Sequence, residues 1–585
     1  MLRPVETVSR ETKSLDGVWR FLVDKDRAGR HEQWWTADLP GALDIPVPSS
    51  YNDIYPDPAI RDHVGDVWYQ TVVRPPASWE GKRVVLRFDA AAHLATVWVG
   101  EKEVVTHRGG FVPFEVEVTD LLQYGRPNRL TVAINNELSL SAMPPGRQYR
   151  TPAGATAQAL TGDYFNYTGL NRRVWLYTTP HEHIQDITVR TDLDGPDGLV
   201  SYDVFTSAPG GVTVRLLDAR GTQVAAGSGH TGELAVPQVH RWEPGEGYLY
   251  RLEIGYGEDV YELPVGVRTV AVRGREFLIN GRPFTFRGFG RHQESPVRGH
   301  GHDDVIMVHD FALLDWIGAN SIRTAHYPYA EEVLEHADRN GIVVIAEQEA
   351  GMINLAMDFG PRTGPEPRTF GPDGFGADAR EACLTSVRRL IERDKNHPSV
   401  VMWCLSNEPD SAADGAREFL EPIVEQAREL DPTRPVCFTN VFLAPAGQDR
   451  VTDLFDVICL NRYYGWYLDG GDLASAEKRL VEELDQWAAR HDSPILITEC
   501  GAEALPGAHE VAATMWTEEY QSEVLEMVAR VADAHAAVVG QHVWSFADFR
   551  TRQEIIRPEG NRKGVFDRDR KPKAAAYALR RRWRS

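Results

Sequence analysis

The stretch Val400-Val401-Met402-Trp403-Cys404-Leu405-Ser406-Asn407-Glu408-Pro409 decides how this chain is read. It begins as an apolar run short enough for a strand buried on both faces, then turns polar and ends on an amide, a carboxylate and a proline. A second run, Pro494-Ile495-Leu496-Ile497-Thr498-Glu499-Cys500-Gly501, has the same build, with β-branched and aliphatic residues carrying a carboxylate to a turn-forming glycine. Either glutamate alone reads equally well as a solvated strand end or an ion-pair partner. Two carboxylates on two strand tips suggest paired acid/base and nucleophilic work.

Working outward, the residues after Phe277-Leu278-Ile279-Asn280-Gly281 follow a strand, helix, strand period. Strands are expected at Phe284–Phe289, Ser321–Thr324, Ile342–Ile345, Val400–Leu405, Val436–Phe438, Val457–Leu460, Ile495–Thr498 and His542–Phe546. Eight in parallel order close into a (β/α)8 TIM barrel. Helical stripes such as Cys383, Val387, Leu390 and Ile391, or Leu480, Leu484, Trp487 and Ala488, read as core. The Gly- and Pro-rich stretch from Gly351 to Asp378 is a long insertion on the catalytic side, read either as a lid or as a disordered loop.

Residues 1–180 are expected to be a β jelly-roll sandwich, because short aromatic or β-branched runs such as Val67–Val73 and Val84–Phe88 alternate with turn residues. Residues 181–272 continue the alternation and suit one immunoglobulin-like β-sandwich without visible chemistry. The barrel is expected to span 273–585. At 585 residues the chain exceeds one ordinary core, which agrees with such a multidomain plan.

The formal charge of −22 argues against nucleic acid and anionic membrane as partners. It leaves room for an anionic small substrate held by a local basic cluster. No run approaches a membrane span, the start lacks the apolar segment of a signal peptide, and five cysteines without metal-ligand spacing fit reduced thiols, so a cytoplasmic location is expected. Asn166-Tyr167-Thr168 matches a glycosylation acceptor, of little meaning without secretion. His300-Gly301-His302-Asp303-Asp304 invites a metal reading, but Asp303 as a helix N-cap is simpler; no metal and no cofactor are expected. The basic tail Arg580-Arg581-Arg582-Trp583-Arg584 reads as a solvated helix end.

Barrel enzymes place their chemistry at the C-terminal ends of the strands. The expected tips carry His292, then Arg323 and His326, then Asn407 and Glu408, then Asn461, Tyr463, Tyr464 and Tyr467, then Glu499, and finally Trp544 and Asp548. Two carboxylates can cleave an acetal, amides and hydroxyls can fix sugar hydroxyls, and an aromatic can pack on a pyranose, so this is a sugar-hydrolase inventory.

The motifs Arg323-Thr324-Ala325-His326-Tyr327-Pro328, Asn407-Glu408-Pro409-Asp410 and Thr498-Glu499-Cys500-Gly501 resemble glycoside hydrolase family 2. Longer stretches, Asp394–Trp403, Leu460–Tyr467 and Asp567–Lys573 among them, are similar to its bacterial members that hydrolyse β-D-glucuronides, over essentially the whole chain. That resemblance implies Glu408 as general acid/base, Glu499 as nucleophile, Asn407 on the sugar 2-hydroxyl and Tyr463 beside the nucleophile. It further implies a retaining mechanism, with carboxyl groups about 5 to 5.5 Å apart, and a homotetramer. Asn561 and Lys563, by themselves an exposed basic loop, are implied as readers of a uronate carboxylate, and Arg557 matches a pocket arginine of these members. Asp163 would reach in from the first domain to a sugar hydroxyl, and His326, Tyr467 and Trp544 would complete the substrate site. Alternatives are a β-galacturonidase or β-galactosidase of the same family, or a non-catalytic carbohydrate-binding protein. Two departures stand out: Cys500 replaces a tyrosine and Gly162 a histidine, and the loop after strand three diverges as well.

Overall fold

The computed structural model describes residues 1–357 and 368–585. Part of the insertion read above either as a lid or as a disordered loop, residues 358–367, lies outside the described residues. Eight strands, β1 (Phe286–Gly290), β2 (Ser321–Arg323), β3 (Val343–Glu347), β4 (Val400–Asn407), β5 (Val436–Asn440), β6 (Ile458–Asn461), β7 (Ile495–Glu499) and β8 (Val538–Trp544), pair in parallel sequence and close β8 onto β1. Every residue of β4 is buried, which explains its unbroken apolar text: a parallel strand covered on both faces has no polar side to show.

Outside the barrel run α1 (Asp304–Ile317), α2 (Glu331–Asn340), α3 (Ala377–Asp394), α4 (Ala416–Leu430), α5 (Leu473–Arg490), α6 (Glu518–Ala534) and α7 (Ala574–Trp583). The stripes read from the sequence face inward, with Cys383, Val387, Leu390 and Ile391 of α3 and Leu480, Leu484, Trp487 and Ala488 of α5 all buried. The alternation slips once: β5 and β6 are joined by the single 3-10 turn Thr452–Leu454. Asp303 caps α1, its Oδ1 accepting from the amides of Val305 and Ile306. The basic tail departs from expectation. Trp583 is buried, Arg580 donates to the Trp316 carbonyl and Arg584 pairs with Asp315, so the tail is pinned to the end of α1.

Ahead of the barrel stand two antiparallel sandwiches. In the first, a six-stranded and a four-stranded sheet enclose Trp19, Phe21, Tyr69, Leu86, Phe88 and Val132. In the second, a three-stranded and a four-stranded sheet enclose Ile187, Val200, Val214, Leu252 and Ile254. Neither floats free. Trp242, from the second sandwich, is buried against Phe277, Phe286 and Val343 under the barrel floor, and its Nε1 donates to the Asp338 carbonyl at 2.8 Å. Phe111, Leu138, Met143, Leu160 and Tyr164 of the first sandwich belong to the same apolar cluster as the barrel wall. Arg87 bridges Asp89 of its own domain to Glu331 of α2. In the Asn166-Tyr167-Thr168 sequon, Tyr167 and Thr168 are buried and the Asn166 Oδ1 accepts from His93 Nε2 at 2.8 Å, so this sequon is part of the packed interior.

Candidate active site

At the end of β4 the pairing with β5 slips between Cys404 and Asn407, and Glu408 takes a positive φ of 45°. A bulge and a left-handed residue together turn the chain out of the strand, which aims the Glu408 side chain across the barrel mouth. Its Oε1 accepts from the Asn461 amide at 3.0 Å, and Asn461 is itself oriented by the Thr498 hydroxyl, which donates to its Oδ1 at 2.9 Å. Burial, and next the charge of Glu499, push the Glu408 carboxyl up to about 8. At neutral pH it is therefore a buried proton donor.

Glu499, at the end of β7, sits in the opposite kind of environment. Arg323 Nη2 pairs with its Oε1, and the Tyr463 hydroxyl donates to Oε2 at 2.5 Å. Both partners are donors complementary to a carboxylate and fix its two oxygens in place. Arg323 is held in turn by Glu347 of β3, which also accepts from His326 at 2.8 Å if the imidazole carries its proton on Nδ1. Trp544 lies over His326, ring centres 5.0 Å apart, with Arg323 beneath it at 5.9 Å. This wall exists because residue 290 is glycine: a Cβ there would meet the indole at 2.7 Å. Asn407 Oδ1 is occupied by Thr439 at 2.5 Å and Asn461 at 3.2 Å, which turns the amide nitrogen of Asn407 away from them.

At the far end of the same cleft are the cations. Lys563, 1 % exposed, donates to the Tyr467 hydroxyl and to Glu503 Oε1, each at 2.8 Å. An ammonium has three N–H donors, so one remains uncommitted among the described residues. Asn561 donates to Asp163 Oδ2 at 3.2 Å, using one of its two N–H groups, while its Oδ1 accepts the Lys563 amide. Arg557 is fully engaged, with Nε on Asp163 at 2.9 Å, Nη2 on Tyr467 at 2.6 Å and Nη1 on Glu503. One spare donor from a lysine and one from an asparagine match the two oxygens of a carboxylate.

The structure gathers every side chain named for the site, from Asp163 in the first sandwich to Lys563 after β8, around one cleft. Three of the expected tips go elsewhere. His292 is buried behind the wall between Tyr327 and Phe549, Tyr464 turns outward to Glu483, and Asp548 pairs with Lys573 and Arg562. Conversely, Glu347 and Glu503 were missed. Glu347 is the polar end of an apolar strand, a signal of the same kind that exposed Glu408; Glu503 stands in a loop with no pattern around it. The Cys500 thiol lies beneath Glu499, its Sγ 3.7 Å from the His542 carbonyl, and burial pushes it well up, which makes it an inert thiol. Among the described residues no group of three or more His, Cys, Asp or Glu side chains is placed to hold a metal ion, and no helix is long and apolar enough to cross a membrane.

Such a cleft can protonate a leaving oxygen from one side, present a carboxylate from the other and hold an acid group at its end. Comparisons with known proteins agree in kind. The family descriptions "Glycosyl hydrolases family 2, sugar binding domain", "Glycosyl hydrolases family 2" and "Glycosyl hydrolases family 2, TIM barrel domain" match residues 12–180, 182–268 and 270–585. The chain is 46% identical to a β-glucuronidase of Paenibacillus borealis, covering 100% of this chain and 98% of that one. It is 43% identical to a β-glucuronidase of Mus musculus, covering 100% and 92%. Among solved structures, a β-glucuronidase of an uncultured Clostridium sp. superposes with a TM-score of 0.94 at 41% identity, covering 100% and 99%. One from Ruminococcus gnavus in complex with D-glucaro 1,5-lactone gives 0.95 at 38%, with the same coverage.

Proposed function

The chain belongs to glycosyl hydrolases family 2, and from that premise we infer that it hydrolyses β-D-glucuronides to D-glucuronate and an alcohol, with retention, through a covalent glycosyl-enzyme. The observation that carries this reading is the pairing, in one cleft, of a protonated Glu408 and an arginine-bound Glu499 with the Lys563–Asn561 donors at the other end.

In the first step Glu499 attacks the anomeric carbon while the bond to the aglycone oxygen breaks and Glu408 delivers its proton to that oxygen. With the proton gone, Glu408 is a carboxylate that takes a proton from water, the water oxygen bonds to the anomeric carbon, and Glu499 is released. Arg323 and Tyr463 hold the two Glu499 oxygens in place for both steps. Lys563 and Asn561 receive the sugar carboxylate, with Arg557 and Tyr467 holding Lys563 and Asp163 in register. Asp163 and Asn407 bind sugar hydroxyls, and His326 with Trp544 forms the wall of the sugar pocket. Proton NMR of the first-formed product tests the mechanism; β-glucuronate first is expected, and α-glucuronate first sinks it.

A panel of chromogenic glucuronide, galacturonide and galactoside separates this activity from its relatives within the family, and Glu499→Gln should abolish whatever turnover is found. Lys563→Ala should lower glucuronide kcat/KM by roughly two to four orders of magnitude, since a carboxylate would be buried without its cation. The same reading divides the chain near residues 180 and 272, puts the protein in the cytoplasm, which its five buried free thiols support, and assembles it as a homotetramer, a mass that sedimentation velocity reads directly.

A further inference from the structure

We propose that Glu503 is the positioning residue for acid selectivity: its carboxylate aims the Lys563 ammonium and the Arg557 guanidinium, and so makes the cleft choose uronides over neutral sugars. The inference rests on the glucuronide reading above and deepens it.

Glu503 lies in the loop after β7, four residues beyond Glu499, and is 0 % exposed. One oxygen, Oε1, accepts from both Lys563 Nζ at 2.8 Å and Arg557 Nη1; the other, Oε2, is buried with no hydrogen-bond partner among the described residues. A carboxylate is seldom left so poorly satisfied in an interior unless the arrangement serves something else. What it serves is visible in its partners. A lysine carries a point charge on a flexible stem and by itself prefers no direction. Around Lys563 Nζ stand the rings of Tyr467, Tyr463 and Trp466 at 4.7, 5.5 and 5.8 Å, walls that attract a cation but barely orient its N–H bonds. Glu503 and the Tyr467 hydroxyl fix two of the three bonds, and the third is thereby fixed as well.

The charges make the same point. Arg557 and Lys563 face Glu503 and Asp163, two cations against two carboxylates, so the site offers an incoming anion no net positive charge. Discrimination must come from where the spare donors point. Glu503 also separates two like charges that would otherwise share a buried space, an arrangement in which either could swing away.

Aim and charge predict opposite signs on removal. If Glu503 were only a counter-ion, its loss would leave the site net positive and draw anions more tightly. If it aims Lys563 and Arg557, its loss weakens anions and leaves neutral ligands alone. The experiment compares the full-length protein with Glu503→Ala, Glu503→Gln and Glu503→Asp, using p-nitrophenyl β-D-glucuronide as substrate and D-glucuronate and D-glucono-1,5-lactone as anionic and neutral competitors. Expected for Glu503→Ala is a KM raised about tenfold or more with kcat within about threefold, a D-glucuronate Ki raised in parallel, and a lactone Ki that stays put. Glu503→Gln, which keeps an acceptor, should fall between, and Glu503→Asp should recover part of the loss. Should the alanine variant not fold, the glutamine variant carries the same comparison. A KM unchanged or lowered, or both competitors weakened equally, overturns the proposal. Absence of glucuronide turnover in the unaltered chain removes the parent reading and this one with it; turnover indifferent to all three substitutions removes this one alone.

Discussion

At Glu408 one proton decides both rate and stability. Burial and Glu499 hold the carboxyl at about 8, so kcat/KM for a glucuronide should fall on an alkaline limb near that pH as the acid is lost. The native state keeps a proton that the unfolded chain, with a carboxyl near 4.5, gives up; the group therefore lowers stability progressively as pH rises from about 4.5 to about 8. Glu408→Gln has no proton to lose. It should cost about 10²- to 10⁴-fold in turnover, yet melt above the parent at pH 8, with the gap in Tm closing toward pH 4.5. A gap that does not change with pH would contradict the proton argument. Neighbouring residues show why sequence reads some of this and not the rest. Glu408 and Glu499 were legible because each ends an apolar run, where a charged residue is out of place unless it has work to do. The Asn461 amide that orients Glu408 was visible only as one tip among several, because its partner is set by a hydrogen bond between β4 and β6, 53 positions apart.

Among elements, the eight strands were legible and their ends were not. β1 and β8 shift by one to four residues from the apolar runs, because a ladder stops where its neighbour stops, and that neighbour is distant in sequence. The missing helix between β5 and β6 was equally hidden. The entry to β4 offers a direct test of how an element is anchored. Asp338 of α2 accepts from the Ser399 amide at 3.0 Å and from His397 Nδ1 at 2.6 Å, tying the end of that helix to the start of β4. Burial pulls the His397 imidazolium down, but Asp338 beside it more than offsets this and holds it at about 9. The pair therefore stabilises fully below pH 6.5 and fades as pH rises through about 9. His397→Asn should lower stability by roughly 2 kcal/mol at pH 6 and by little at pH 9.5, read as the difference in Tm from the parent at each pH. An equal loss at both values would assign the effect to packing.

Over the whole molecule, the first sandwich and the barrel share one apolar cluster and a buried ion pair, which makes them one cooperative body. Arg87 is 0 % exposed and pairs with both Asp89 and Glu331. Arg87→Ala leaves both carboxylates without their cation, at a cost of about 3–5 kcal/mol, and scanning calorimetry should then resolve two transitions where the parent shows one. A single transition in the variant would mean that the apolar contacts alone suffice to join the domains. The cleft itself takes Asp163 from the first sandwich and Lys563 from near the far end of the chain, 400 positions later. A ribosome working through this message thus releases a catalyst only after Lys563 has been translated, and chains cut short before that residue are silent. No copy that stops short of Lys563 can begin cleaving sugars.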